Sequence, residues 1–301
     1  MPLTIEPMSR RGFCRTALGG VVAAAFSGIP GNARAEDTGR DHWVFLSDTH
    51  VPGDPNEERH GTNPCKNFAD VRGAVLKLDD KPRGVVVTGD FAFLQGKPED
   101  YQQLAGLVVP YTENGIPLHI CLGNHDNIGN LHAAFQGMKN AAPPVAGKHI
   151  TVLESPNANL FLLDSLWPGT GSGFFGVEQL RWLKKALDAR KDKPALLFAH
   201  HNLDNSDGAL MDREEFWSVI KAASQVKAYI YGHTHVYRQS VRDNVHLINL
   251  PALGWEFASG KEPLGWSDVE ISGKGIHLTL NTVPASSHPK NGDVRAFEWM
   301  R

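Results

Sequence analysis

A chain of 301 residues, 41% hydrophobic and 21% charged, has the composition of an ordinary globular protein and the length to bury one large core. Its net charge of −3 gives no electrostatic footprint for nonspecific binding of long nucleic acids or anionic membranes. No internal repeat, low-complexity tract or Gly/Ser- or Pro-rich linker divides it, so a single domain is expected over residues 36–301.

The first 35 residues differ from the rest. Ser9-Arg10-Arg11-Gly12-Phe13-Cys14 precedes a weakly apolar, Gly/Ala-rich stretch at 16–29, then Pro30 and Ala33-Arg34-Ala35, an A-x-A cleavage pattern. Residues 1–35 thus resemble a twin-arginine export signal, with Cys14 where Leu is more usual. The resemblance implies the twin-arginine translocation machinery as a partner and a periplasmic or secreted location. The apolar stretch is too short to be a stable membrane anchor. Cys14 precedes it rather than closing it, unlike a lipid-attachment cysteine. Cleavage would remove four Arg and one Glu and leave a body of net charge about −6. An oxidising compartment permits a disulfide between Cys65 and Cys121. Cys121 lies inside the apolar run 116–122, where a buried free thiol is the expected state.

Beyond residue 40, apolar runs of strand length recur at 43–46, 84–88, 118–122, 160–163, 195–199 and 228–231. Most are continuously apolar, as expected of strands buried on both faces. Helical spacing appears between them at 69–78, 100–109, 177–189 and 213–223. The third is clearest, with Leu180, Leu183 and Leu187 on one side and Arg181, Lys184, Lys185 and Asp188 on the other. Segments 245–250, 266–271 and 275–281 read as successive strands of an antiparallel end. Alternating strands and helices followed by strands predict two packed sheets with helices outside. Residues 51–67 have no periodicity and are expected to form a long loop at the rim of a site. Residues 284–301 are expected to be loosely ordered, with Phe297 and Trp299 as anchors.

Five clusters of potential ligands follow these runs: Asp48-Thr49-His50, Gly89-Asp90, Gly123-Asn124-His125-Asp126, His200-His201 and Gly232-His233-Thr234-His235. Asp48 and His50 are two apart, so extended backbone would project both to one side. Gly89 would let the chain turn tightly before Asp90, whose two oxygens could bridge two cations. Two Asp, one Asn and four His exceed the needs of one tetrahedral ion. They suit two ions about 3.5–4 Å apart, a standard device for hydrolysing phosphate esters.

In this order, the clusters resemble the signature of the calcineurin-like metallophosphoesterase superfamily over roughly residues 41–281. The resemblance implies an α/β fold, a four-layer α/β/β/α sandwich of two mixed sheets flanked by helices, with two divalent ions (Mn, Fe, Zn or Co) at the strand ends. It assigns Asp48, His50, Asp90 and His235 to one ion and Asp90, Asn124, His200 and His233 to the other. His125, held back from the metals, would stabilise phosphoryl charge or protonate the leaving oxygen, and Asp126 would orient it. A metal-bridging hydroxide would attack phosphorus in line. Asn124 and His125 would also contact the substrate. His201 would either line the pocket or hydrogen-bond nearby, and Asn202 stands where many relatives have Pro. Phe93 occupies the position of the iron-binding Tyr in purple acid phosphatases, so it is expected to pack rather than coordinate.

The reading is therefore an exported hydrolase of a small phosphate ester, with diesters slightly favoured over monoesters. A noncatalytic metal- or phosphate-binding module and an exported nuclease are the alternatives. Twin-arginine substrates cross folded, so metal loading in the cytoplasm is expected, where Mn or Fe can be installed before Zn or Cu compete.

Overall fold

Strand β2 (Asp41–Leu46) shows how the layers arise. Val44 and Leu46 enter one core while Trp43 and Phe45 enter another, following the two-residue period of a strand. The computed structural model describes residues 4–5, 40–135 and 143–300. The export-like motifs Arg10-Arg11 and Ala33-Arg34-Ala35 lie outside the described residues.

The first sheet joins β2 to β1 (Thr4–Ile5), β3 (Val85–Val87), β4 (Leu118–Ile120), β11 (Gly265–Ile271), β12 (Gly275–Thr282) and β13 (Val294–Glu298). Its order is β1-β4-β3-β2-β11-β12-β13. The pairs β2·β3 and β3·β4 are parallel, and the others are antiparallel. The second sheet contains β5 (Thr151–Glu154), β6 (Asn159–Leu162), β7 (Ala195–Phe198), β8 (Val226–Tyr231), β9 (Arg238–Arg242) and β10 (Val245–Asn249), in the order β5-β6-β7-β8-β10-β9. Its four central strands are parallel, with an antiparallel strand at each edge.

The inner faces of the two sheets meet in a core that includes Phe45, Val86, Leu160, Phe198, Ile230, Val269 and Leu278, and Phe45 meets Phe198 edge-on at 4.9 Å. Helices α1 (Pro64–Val75), α2 (Pro98–Glu113) and α3 (Ile128–Ala134) cover the outer face of the first sheet through Phe68, Leu104, Val108 and Leu131. Helices α4 (Val177–Asp188) and α5 (Arg213–Lys221) cover the second through Leu183, Leu187, Phe216 and Trp217. The result is the expected α/β/β/α sandwich. No described helix is long and apolar enough to cross a membrane.

Three expectations need correction, and the free state expected of Cys121 is met. Segment 245–250 does not continue an antiparallel end: β10 lies parallel to β8 in the second sheet, and only β11 to β13 form the antiparallel flank of the first. The tail is not loose over 294–298, which pair with β12 as an edge strand while Phe297 packs edge-on against His246 at 5.0 Å. Helix α1 starts at Pro64, well before the apolar periodicity, because Asn63 caps it by accepting from the Lys66 amide and Pro64 suits the first turn. Cys65 and Cys121 are free and lie in different cores, one on the buried side of α1 and the other between the sheets.

Candidate metal centre

All five ligand clusters stand at the carboxyl ends of parallel strands: β2, β3 and β4 in one sheet, β7 and β8 in the other. In an open α/β sheet that edge is where ligands bind. The backbone that carries the ligands is not extended there. Asp48, His50, Asp90, His233 and His235 all have positive φ, between 44° and 71°. This left-handed conformation costs a non-glycine residue about 1–2 kcal/mol. The neighbouring strands fix it, for example through the His50 amide to the Asp90 carbonyl at 2.9 Å. Asp48 and His50 therefore converge through paired left-handed residues and not through the two-residue alternation of a strand. Close approach dictates the preceding glycines. A Cβ on Gly89 would strike the His200 ring, and one on Gly232 would strike Ser47 and the Asp48 carboxylate.

Carbonyl oxygens aim three of the imidazoles. His200 Nδ1 lies 3.0 Å from the Thr88 carbonyl and His235 Nδ1 lies 2.6 Å from that of Trp255. A carbonyl can only accept, so each Nδ1 carries a proton and each Nε2 points into the centre. There His235 Nε2 is 3.1 Å from His50 Nε2 and 3.4 Å from Asp48 Oδ1. His200 Nε2 is 3.1 Å from Asn124 Oδ1, 3.2 Å from His233 Nδ1 and 3.2 Å from Asp90 Oδ2. The third is His125, whose Nδ1 lies 2.5 Å from the Leu94 carbonyl while its Nε2 stands 4.0 Å from Asp90 Oδ2. Trp255 also floors the centre, its ring stacked on His50 at 3.9 Å.

So many lone pairs at such spacing call for positive charge between them. Burial pushes the Asp90 carboxyl up, but the His200, His50 and His125 imidazoles override it and hold it well below the usual range. Burial likewise opposes charge on His200, yet the Asp90 carboxylate lifts it to about 9. Burial keeps His50 neutral, at about 3, and His233 at about 4. A tetrahedral ion bound at about 2.0 Å spaces its ligand atoms about 3.3 Å apart, close to the separations found here. The donor set therefore fits divalent cations. Among the described residues, Asp48, His50 and His235 form one cluster of potential ligands and His200, His201 and His233 another, and Asp90 clusters with His50 and His125 and with Asp48 and His200, while Asn124 reaches His200.

One expected role is not met. Asp126 does not orient His125. Its carboxylate accepts from the amides of Phe91, Ala92 and Gly123 and from the Tyr101 hydroxyl at 2.9–3.1 Å, so it ties the Asp90 turn to the Asn124 turn. Burial and the nearby Asp90 charge push this carboxyl up to about 6. The Leu94 carbonyl does the orienting instead. Of the two places expected for His201, the structure shows the nearby hydrogen bond: it is fully buried, with Nδ1 2.8 Å from Ser165 Oγ, and its ring lies 4.8 Å from that of His233. Phe93 packs edge-on against Trp255 at 5.6 Å. Sequence reasoning missed Thr88 and Leu94, which act through main-chain oxygens that any residue would supply, and Trp255, which adds a ring to its carbonyl.

The model of the family described as calcineurin-like phosphoesterase matches residues 43–237. A 3′,5′-cyclic adenosine monophosphate phosphodiesterase from Haemophilus influenzae is 25% identical over 243 residues, which are 76% of this chain and 85% of that protein. A probable glycerophosphodiester phosphodiesterase from Arcobacter nitrofigilis is 28% identical over 200 residues, 64% of this chain and 71% of that one. Among solved structures, a dimetal phosphatase from Danio rerio superposes with a TM-score of 0.67 at 14% identity, covering 86% of this chain and 99% of its own, and so shares the fold.

Proposed function

Because this chain belongs to the calcineurin-like phosphoesterase family, we propose that it is a metal-dependent phosphodiesterase acting on a small phosphate ester. The observation that carries this reading is the meeting of two ligand groups at Asp90 beside an imidazole, His125, pinned at Nδ1 and open at Nε2. Asp48, His50, Asp90 and His235 would hold one divalent cation, and Asp90, Asn124, His200 and His233 the other. When bound, the cations supply an acidified water and offset charge on the phosphoryl oxygens. The chain's own groups do the rest. Thr88 and Trp255 hold His200 and His235 in the tautomer that leaves Nε2 free, and the Leu94 carbonyl aims His125 through Nδ1. As an imidazolium, His125 would give its Nε2 proton to the leaving ester oxygen or use that N–H to steady the phosphoryl charge. A noncatalytic binding module would have no use for that imidazole, and the acidic balance disfavours a nuclease acting on long polymers.

The reading predicts turnover of a chromogenic phosphodiester, faster than of the matching monoester, by metal-depleted protein reconstituted with Mn, Fe, Zn or Co. Absence of turnover with every metal would sink it.

We further propose export by the twin-arginine pathway, on the strength of Arg10-Arg11 and the Ala33-Arg34-Ala35 pattern. Cleavage after Ala35 would also remove β1 and leave β4 as an edge strand. Replacing Arg10-Arg11 with two lysines is expected to retain the precursor in the cytoplasm, read by fractionation and immunoblot. Unaltered appearance outside would count against this route. Loading before export would favour Mn or Fe, and finding only zinc in the native exported fraction would argue otherwise.

A further inference from the structure

An aromatic side chain stands in solvent one ring away from the metal ligands. Phe257 stacks on His235, centroids 4.5 Å apart and planes at 25°, and is nevertheless 64% exposed. With one face on the imidazole, its exposure belongs largely to the other face. A large apolar group held open beside a polar centre contributes little to folding.

The loop that presents it is rigidly tied. Glu256 is buried, and its carboxylate accepts from the amides of Gly260, Lys261 and Glu262 at 2.7–3.0 Å. Just before it, the Leu253 and Gly254 amides bond the carbonyls of Ser47 and Asp48. The opposite rim comes from the 51–67 loop. Arg59 and Thr62 exchange both backbone hydrogen bonds, and His60 and Gly61 between them have φ of 50° and 79°, the two positive values of a type I′ turn. Thr62 Oγ1 and Asn67 Nδ2 bond the Gly254 and Leu253 carbonyls, which locks this turn to the Phe257 segment. The turn sets His60 edge-on to Phe257 at 6.1 Å and the Arg59 guanidinium 5.8 Å over Trp255.

We propose that Phe257, with His60 beside it and Arg59 over the neighbouring Trp255, is a stacking subsite for the nucleobase of a nucleotide phosphodiester bound at the metal centre. The proposal rests on the phosphodiesterase reading above and names its substrate class. A flat apolar face rewards a planar ring, and the flanking imidazole and guanidinium offer donors to ring nitrogens and carbonyls. A glycerol or ethanolamine moiety has no planar face with which to use such a shelf.

The test compares kcat/KM for 3′,5′-cyclic AMP with kcat/KM for glycerophosphoethanolamine, a diester without a ring, in metal-loaded wild type and Phe257→Ala. The ratio is expected to fall about tenfold in the variant, through KM for the nucleotide, and Phe257→Trp should restore it. Metal content, measured in parallel, separates loss of stacking from disturbance of His235. An unchanged ratio, or a loss common to both substrates, overturns the subsite. If wild type hydrolyses neither diester, the phosphodiesterase reading fails on its own account. Calorimetric binding of AMP and of glycerol 3-phosphate then decides the subsite: Phe257→Ala should weaken AMP selectively, and equal weakening overturns the proposal.

Discussion

Asp90→Ala is expected to lose bound metal and hydrolytic activity together. In the proposed assignment Asp90 is shared by both ligand groups, and its side chain is almost wholly buried. Its Oδ2 lies 3.2 Å from His200 Nε2 and 3.7 Å from His50 Nε2, one imidazole from each group, while Oδ1 fixes the His125 amide at 2.9 Å. Alanine therefore removes a donor from both cations and a negative charge from among the imidazoles. It also removes one anchor of the turn that carries Asn124 and His125. Metal-ion catalysis supplies several kcal/mol of transition-state stabilisation, so activity should fall about 10³-fold or more at roughly 1.4 kcal/mol per decade. Metal per protein should drop from about two toward zero by elemental analysis, with the far-ultraviolet circular dichroism retained because the sandwich core lies elsewhere. Asp90→Asn keeps the shape and one neutral oxygen, and should show partial metal loss. A full metal complement in Asp90→Ala would refute the shared-ligand assignment.

The parts of the molecule legible in its sequence are those where side chains dictate backbone. The strand 195–198 has a buried, continuously apolar pattern because both faces are covered, so it declares itself without a partner. The ligand types and their order were equally readable, since five such clusters in this order, each after an apolar run, have few other uses together. Strands β9 and β13 were not readable. As sheet edges they expose most of their side chains, and Arg238–Arg242 and Val294–Glu298 carry no apolar alternation to reveal them. The assignment of β10 to the second sheet depends on long-range parallel pairing with β8, of which its own residues carry no trace. Within the site, the left-handed backbone of Asp48, His50, Asp90, His233 and His235 is imposed by neighbouring strands. The role given to Asp126 failed because a carboxylate next to a histidine in sequence need not face it. Its oxygens are instead consumed by three amides and a tyrosine.

His125→Ala should keep both metals and lose rate, on the order of 10²–10⁴-fold, the usual contribution of a general acid. His125 is distinguished from the ligands by its hydrogen bonding and position: Nδ1 donates to the Leu94 carbonyl, Nε2 stands 4.0 Å from Asp90 Oδ2, and the side chain is 30% exposed where the ligands His50, His200 and His235 are at most 2%. An imidazole pinned on one nitrogen and open to solvent on the other can pass a proton without being held by a cation. The competing assignment is real, because its ring nitrogen lies within ligand reach of His50 and Asp90. Metal analysis separates the two: an emptied site in His125→Ala would make it a ligand. The leaving group then separates its two possible chemical roles. Protonation matters most when the departing alkoxide is a poor leaving group. If His125 is the acid, the loss should be large for a glycerol diester and much smaller for a nitrophenyl diester, whose phenolate departs unaided. An equal loss for both would mean that the imidazole steadies charge on the phosphoryl oxygens, since that interaction does not depend on which oxygen leaves.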